Sequence, residues 1–210
     1  MHVTKHTVAV VYHTVTGNTH KLAEAIASGI ETVSGVDARL LPIMGAHIHE
    51  GRYTNIEVMN AITTASAVVF GSPTFMGSVS AQFKSFADAT SDIWEKNEWS
   101  GKVAAGFTIG SNLSGDQLHT IQYMSILASQ HGMLWTSINR PNSPEHKDIN
   151  RLGAQSGLIA HSEDTVVSEM DLQTARYLGA RVARFSQAIL LVQKRYNKRL
   201  QLEHTRCPFA

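Results

Sequence analysis

The sequence predicts an α/β protein: a five-stranded parallel sheet, doubly wound, with helices on both faces in three layers. Three observations predict it. Short apolar runs alternate with amphipathic segments along the whole chain, in the order βαβαβαβαβα. Three of the strand-to-helix junctions are rich in glycine and hydroxyl residues. In a 2-1-3-4-5 strand order those junctions follow neighbouring strands, so they converge beyond the carboxyl ends, where open α/β sheets bind ligands.

The first strand is Val8-Ala9-Val10-Val11-Tyr12, a continuous apolar run suited to burial on both faces. A helix follows over Lys21–Val33, with Leu22, Ile26, Ile30 and Val33 on one stripe. Between them lies Thr14-Val15-Thr16-Gly17-Asn18-Thr19. The first N–H groups of a helix lack partners and carry partial positive charge, so such a loop can hold a phosphate without Lys or Arg. Gly17 permits a tight turn and close approach. An ordinary well-capped helix would also use Thr and Asn here.

Val36–Ile43 reads as the second strand, and the loop over Met44–Thr54 carries His47 and His49. That pair lacks a third ligand at useful spacing, so no metal site is expected. Ile56–Thr64 reads as a helix and Ala67–Gly71 as the third strand. The junction Gly71-Ser72-Pro73-Thr74-Phe75-Met76-Gly77 comes next, and Ser80 caps the helix carrying Phe83, Phe86 and Ala87. A plain turn explains its glycines and proline, but a Phe-Met pair marks a surface meant to be covered.

Asp92–Gly101 is polar apart from Trp94 and Trp99, and Val103–Ile109 is the fourth strand. Gly110-Ser111-Asn112-Leu113-Ser114-Gly115-Asp116 has Walker-like glycine spacing, but Asp116 replaces the lysine, which excludes an ATP-type loop. No Gly-x-Gly-x-x-Gly follows the first strand, which counts against a Rossmann dinucleotide fold. A helix with Leu118, Ile121, Met124 and Leu127 leads to a fifth strand over Met133–Ile138. Asn139–Ser168 reads as a long irregular stretch, Met170–Val192 as a long helix, and Lys194–Ala210 as a polar, frayed tail. No linker is visible, so residues 1–210 are expected to form a single domain with a core over about 7–192.

The 210 residues carry a formal net charge of +1, with 43% hydrophobic and 17% charged residues. That balance excludes a general nucleic-acid binder and a strongly acidic carrier. Cys207 is the single cysteine, so no internal disulfide exists and a reducing, cytoplasmic setting is expected. No apolar run reaches the length of a membrane span, and the polar segment Met1–Thr7 has no signal-peptide character.

A ligand with a phosphate at one end and a flat, partly apolar body at the other satisfies all three junctions; FMN is such a ligand. The residues also carry a resemblance. Thr14–Thr19 resembles the T/S-x-T-G-N-T phosphate loop of flavodoxin-like proteins. Gly71–Gly77 resembles the second flavin loop of the WrbA-type NAD(P)H:quinone oxidoreductases, and the similarity continues through Phe107–Gly115, Gln130-His131-Gly132-Met133 and Ala175–Ala183. It covers roughly residues 7–192. The chain departs from that branch in keeping the flavodoxin form of the first loop and in carrying Phe75-Met76 where an Arg-Phe pair is usual.

The resemblance implies an FMN-dependent enzyme that passes two electrons from NAD(P)H to a quinone or similar small acceptor, working as a homodimer or homotetramer. A flavodoxin-type one-electron carrier and a non-catalytic FMN-binding module are the alternatives. Thr14, Val15, Thr16, Gly17, Asn18 and Thr19 would hold the phosphate. Pro73, Thr74, Phe75, Met76 and Gly77 would line the isoalloxazine, and Thr108, Ile109, Gly110, Ser111, Asn112 and Gly115 would wrap its pyrimidine side. No protein nucleophile or acid–base pair is required. His131 matches a family histidine above the active-site cavity, or is a helix C-terminal histidine favoured by the dipole. Trp94 matches a tryptophan that faces a neighbouring subunit's flavin, or is a rim packing residue.

Overall fold

The computed structural model describes residues 6–206 except 144, 146, 147, 164 and 165, with side chains described to residue 196. Cys207 and the first five residues lie outside the described part. Strand β1 is His6–Tyr12, followed by helix α1 (Asn18–Glu31) and β2 (Val36–Pro42). A small hairpin, β3 (Ile48–His49) and β4 (Arg52–Tyr53), precedes α2 (Ile56–Thr64). Then come β5 (Ala67–Phe75), β6 (Ser78–Val79), α3 (Ala81–Asp88), α4 (Ser91–Glu95) and β7 (Val103–Gly110). The chain continues through α5 (Gln117–Gln130), β8 (Leu134–Trp135), β9 (Leu158–Glu163), β10 (Val166–Val167) and α6 (Glu169–Arg206).

The main sheet runs β2-β1-β5-β7-β9, all parallel, with β10 antiparallel at its edge. This is the expected doubly wound 2-1-3-4-5 order. Residue parity along β1 assigns the two faces. Val8, Val10 and Tyr12 pack with Leu22 and Ile26 of α1 and Leu178 and Val182 of α6. Ala9 and Val11 pack with Ile62 of α2, Phe83 and Phe86 of α3, and Ile121 and Met124 of α5. Both faces of the strand are buried, which is why its sequence is an unbroken apolar run. The backbones of α1 and α6 nearly touch. A Cβ at Gly29 would lie 1.9 Å from the Arg176 carbonyl oxygen, and one at Gly179 would lie 2.1 Å from that of Ile26.

Several expectations are corrected. Helix α1 begins at Asn18, inside the first loop, rather than at Lys21. The third strand continues past Gly71 to Phe75 and folds back as a hairpin, pairing Thr74 with Val79 and Phe75 with Ser78. The fifth strand is not Met133–Ile138. Its position is shared by β8, paired with the start of β7, and β9, paired with its end. So Asn139–Ser168 is irregular only in its first part: the described residues up to 157 interrupt one strand, β9 completes it, and β10 follows.

That interruption is anchored to α6. The Arg181 Nε donates to the Ser137 carbonyl (2.9 Å), Tyr177 Oη to Asn139 Oδ1 (2.5 Å), and the Asn150 N–H to Thr174 Oγ1 (2.7 Å). Helix α6 itself runs to Arg206, so the expected frayed tail is helical over residues 194–206.

Candidate cofactor site

The site forms where β1, β5 and β7 end. At the end of β1 the chain turns through Thr14, whose hydroxyl accepts the Gly17 N–H at 3.2 Å. Gly17 takes a left-handed conformation (φ 87°) and precedes the first residue of α1. The first intrahelical bond there runs from the Lys21 N–H to the Gly17 carbonyl at 3.0 Å. The N–H groups of Asn18, Thr19 and His20 therefore precede the helical ladder, and no side chain of Gly17 can cap them. This open donor set, with Thr16 and Thr19 hydroxyls beside it, is the chemistry of a phosphate seat.

Residues Thr14–Thr19 contain no Lys or Arg; the Lys21 ammonium leans on Asn18 Oδ1 at 3.5 Å. The charge complement comes from the backbone. His13, just before the turn, is buried, and burial lowers its pKa, so it is neutral at neutral pH. Tyr12 Oη and His20 Nδ1 are hydrogen-bonded at 2.6 Å, and His20 Nε2 lies 3.4 Å from Glu24 Oε1, which braces the first turn of α1.

Two connected clefts leave this seat. One, about 340 Å³, is lined by Val15, Thr16, Asn18 and Thr19 at one end and by Pro73, Thr74, Phe75, Ile109, Gly110, Ser111 and Ser162 at the other. The second, about 360 Å³, continues over Thr74, Phe75, Met76, Gly77, Gly110, Ser111, Asn112 and Gly115. Thr14 and Gly17 shape the turn without lining either cleft. Thr108 lies behind the wall: fully buried, it donates to the Ser72 carbonyl (2.7 Å) and bonds Thr74 Oγ1 (2.8 Å). The hairpin tip has Met76 (φ 47°) and Gly77 (φ 76°) both left-handed, a turn that leaves Met76 wholly exposed.

Residues that the sequence did not single out hold these loops. Thr120 bonds Thr74 Oγ1 at 2.8 Å, and the His119 Nδ1 donates to the Gly77 carbonyl at 2.6 Å. Gln117 clasps the third loop: its Oε1 accepts the Gly115 N–H (2.8 Å) and its Nε2 donates to the Asn112 carbonyl (2.5 Å). His161 donates from Nε2 to the Ser111 carbonyl at 3.1 Å. The apolar run Leu158-Ile159-Ala160 after Gly157 is the sequence signal for the strand carrying His161 and Ser162. Gln117, Thr120 and His119 leave no such signal.

The structure does not bring His131 to the cleft of its own chain. A helix that follows a parallel strand returns to the strand's amino end, so the last residue of α5 reaches the opposite end of the sheet. There His131 is 2% exposed, its ring 4.4 Å from that of Trp99, with Nε2 bonded to Thr90 Oγ1 at 2.8 Å. Burial pushes its pKa down to about 4. Trp94 is half-exposed on α4 and lines neither cleft. A larger cleft, about 570 Å³, opens at the amino ends of the strands beside Thr7, Ser66 and Lys102. The Lys102 ammonium is spent there on the Ile62 (3.3 Å) and Thr63 carbonyls, and burial lowers its pKa to about 8. It has no counterpart of the open helix N-terminus. Among the described residues no cluster of His, Cys, Asp or Glu is arranged to hold a metal, and no helix is long and apolar enough to cross a membrane.

A phosphate seat joined to a flat, partly apolar cleft fits FMN, and the donor set fits it without a cationic side chain. Comparison with known proteins agrees. Residues 8–140 match the family described as NADPH-dependent FMN reductase. Flavodoxin FldP of Pseudomonas aeruginosa (strain UCBPP-PA14) is 35% identical over 86% of this chain and 96% of its own length. A protein named NAD(P)H dehydrogenase (quinone) from Archaeoglobus fulgidus is 31% identical over 87% and 98%. The crystal structure of a flavodoxin, WrbA-like protein from Agrobacterium tumefaciens superposes with a TM-score of 0.70 at 39% identity, covering 88% of this chain and 99% of that one. Fold, site and family together define an FMN-dependent oxidoreductase that takes its electrons from NAD(P)H. The chain belongs to the NADPH-dependent FMN reductase family, in its flavodoxin-like, WrbA-type branch.

Proposed function

We propose that this enzyme delivers two electrons from NAD(P)H to a quinone or a similar small, flat acceptor. The observation that carries the reading is the exposed apolar pair on the ring side of the cleft, Phe75 and Met76. A polar or charged acceptor would not be served by such a pair, whereas a planar apolar one removes it from water.

When bound, FMN supplies two-electron chemistry at its ring. The chain's own residues bind and orient. Thr16, Asn18 and Thr19, with the N–H groups opening α1, take the phosphate. Thr14 and Gly17 fix the turn. Pro73, Thr74, Phe75, Met76 and Gly77 form one wall, and Ile109, Gly110, Ser111, Asn112 and Gly115 form the other, with Thr108 supporting them from behind and Val15 lining the phosphate end. No side chain in either cleft is set up as a nucleophile or acid–base pair.

The whole chain acts as one domain in this reading, in a reducing cytoplasm, as a homodimer or homotetramer whose neighbouring subunit can reach the exposed Trp94. Likeness to a protein named flavodoxin keeps a second reading, a one-electron carrier. Steady-state oxidation of NADPH or NADH by the FMN-loaded protein, with and without a benzoquinone, separates the two. Turnover that depends on the quinone supports the enzyme, and electron delivery only to a one-electron protein acceptor supports the carrier.

A further inference from the structure

A part-buried ion pair backs the second half of the interrupted fifth strand at His161. Arg151, in the inserted segment, meets Asp171, in the first turn of α6, through two hydrogen bonds of 2.8 Å, Nε to Oδ1 and Nη2 to Oδ2. The Asp171 carboxylate is 1% exposed and also accepts the His161 N–H on Oδ2 at 3.1 Å. The Arg151 Nη2 reaches the His161 carbonyl at 3.5 Å. His161 is thus held through its backbone on both sides, while its imidazole donates to the Ser111 carbonyl of the third loop.

We propose that Arg151, Asp171 and His161 form a positioning relay that fixes the ring-side wall of the cofactor cleft. The proposal rests on the reading that FMN occupies that cleft. A buried ion pair by itself argues little for stability, because desolvation offsets much of its attraction. Here its geometry has a directed consequence. It joins the β7–β9 ladder, which pairs His161 with Gly110, in holding one backbone residue, and that residue carries the side chain that holds Ser111. Two side chains bond the backbone of the third loop at different points: Gln117 at Asn112 and Gly115, and His161 at Ser111. Without His161, the Ser111 carbonyl loses this side-chain bond, while Gln117 still holds the neighbouring Asn112 and Gly115.

The relay touches the ring side and not the phosphate seat. Ser111 lines both clefts, but Asn112 and Gly115 line only the one remote from Thr16 and Thr19. His161, Asp171 and Arg151 are positioning residues: none of them lines a cleft.

The test is titration of apoprotein with FMN and with riboflavin, read by quenching of flavin fluorescence, alongside thermal melting. His161→Ala is expected to weaken both ligands by the same factor, about tenfold for one well-placed hydrogen bond. His161→Gln, which keeps an N–H donor, restores most of it. Arg151→Gln weakens riboflavin in the native background and adds nothing in the His161→Ala background, since residues acting in one network are not additive. Unchanged affinities in His161→Ala overturn the relay. So does a loss for FMN without one for riboflavin, or an equal loss in His161→Gln that follows the melting temperature. Thr16→Ala serves as the control, weakening FMN and leaving riboflavin alone. Failure of the native protein to bind either flavin would remove the cofactor reading itself and the relay with it, a result distinct from a His161 variant that binds normally.

Discussion

The Thr14 hydroxyl and the Gly17 N–H, 3.2 Å apart, close the turn that aims the start of α1 at the cleft. The bond is internal to the loop, so the loop itself orients the donors of Asn18, Thr19 and His20. Two consequences can be measured. Thr16→Ala and Thr19→Ala are each expected to cost about 1.5–3 kcal/mol of FMN binding, the range for a hydrogen bond to a charged group. Gly17→Ala places a Cβ at φ 87° in open space, so strain of about 1–2 kcal/mol falls on the turn rather than on a clash. Isothermal titration with FMN checks all three, and undiminished affinity in the Thr16/Thr19 double variant would contradict the phosphate seat.

The contact between α1 and α6 predicts a stability effect far from the site. Gly29→Ala or Gly179→Ala forces a methyl group onto a backbone carbonyl at 1.9 or 2.1 Å, which no rotamer change relieves. Overpacking of this kind costs at least about 1–3 kcal/mol. Chemical denaturation should show a lower midpoint for either variant, while apoprotein that still folds should bind FMN normally.

His131 predicts how stability responds to acid. Its pKa is about 4 when folded against 6.5 for the ordinary group, so the unfolded chain binds the extra proton first. Stability contributed by the neutral, buried ring is complete above about pH 6.5 and is lost as the pH falls through about 4. The largest loss, from a shift between those two values, is on the order of 3 kcal/mol. Denaturation curves from pH 7 to 4 should therefore steepen in their pH dependence more for the native protein than for His131→Gln.

The exposed pair Phe75 and Met76 predicts an effect on the acceptor alone. Phe75→Ser removes apolar surface that a flat acceptor would cover, and should lower kcat/KM for a benzoquinone by about tenfold, the scale of partly burying one aromatic side chain. Affinity for FMN should change less. A fall in FMN affinity with no change in kcat/KM would place Phe75 in cofactor binding only.

The sequence made the first junction legible because its chemistry is local. A glycine needing positive φ, flanked by hydroxyl residues after an apolar strand, leaves few alternatives. The sheet order followed from the same βα alternation. The fifth strand was not legible, since β8 is two residues long and its continuation, β9, comes after 22 intervening residues and is defined by pairing with β7. The supports of the cleft were hidden for a related reason. Thr120, His119 and His161 act on carbonyls or hydroxyls 46, 42 and 50 positions away, distances over which spacing carries no signal. Of the two readings open for His131, its position as the C-cap of α5 matches the helix C-terminal one, as the return direction of α5 already indicates.

The most direct test of the central claim is an anaerobic visible spectrum of the FMN-loaded protein during stepwise addition of NADPH, then NADH. Bleaching of the flavin absorbance at one equivalent of either donor, with colour restored by one equivalent of a benzoquinone, is the predicted result. Absorbance that stays unchanged with excess of both donors would contradict an NAD(P)H-dependent, two-electron enzyme.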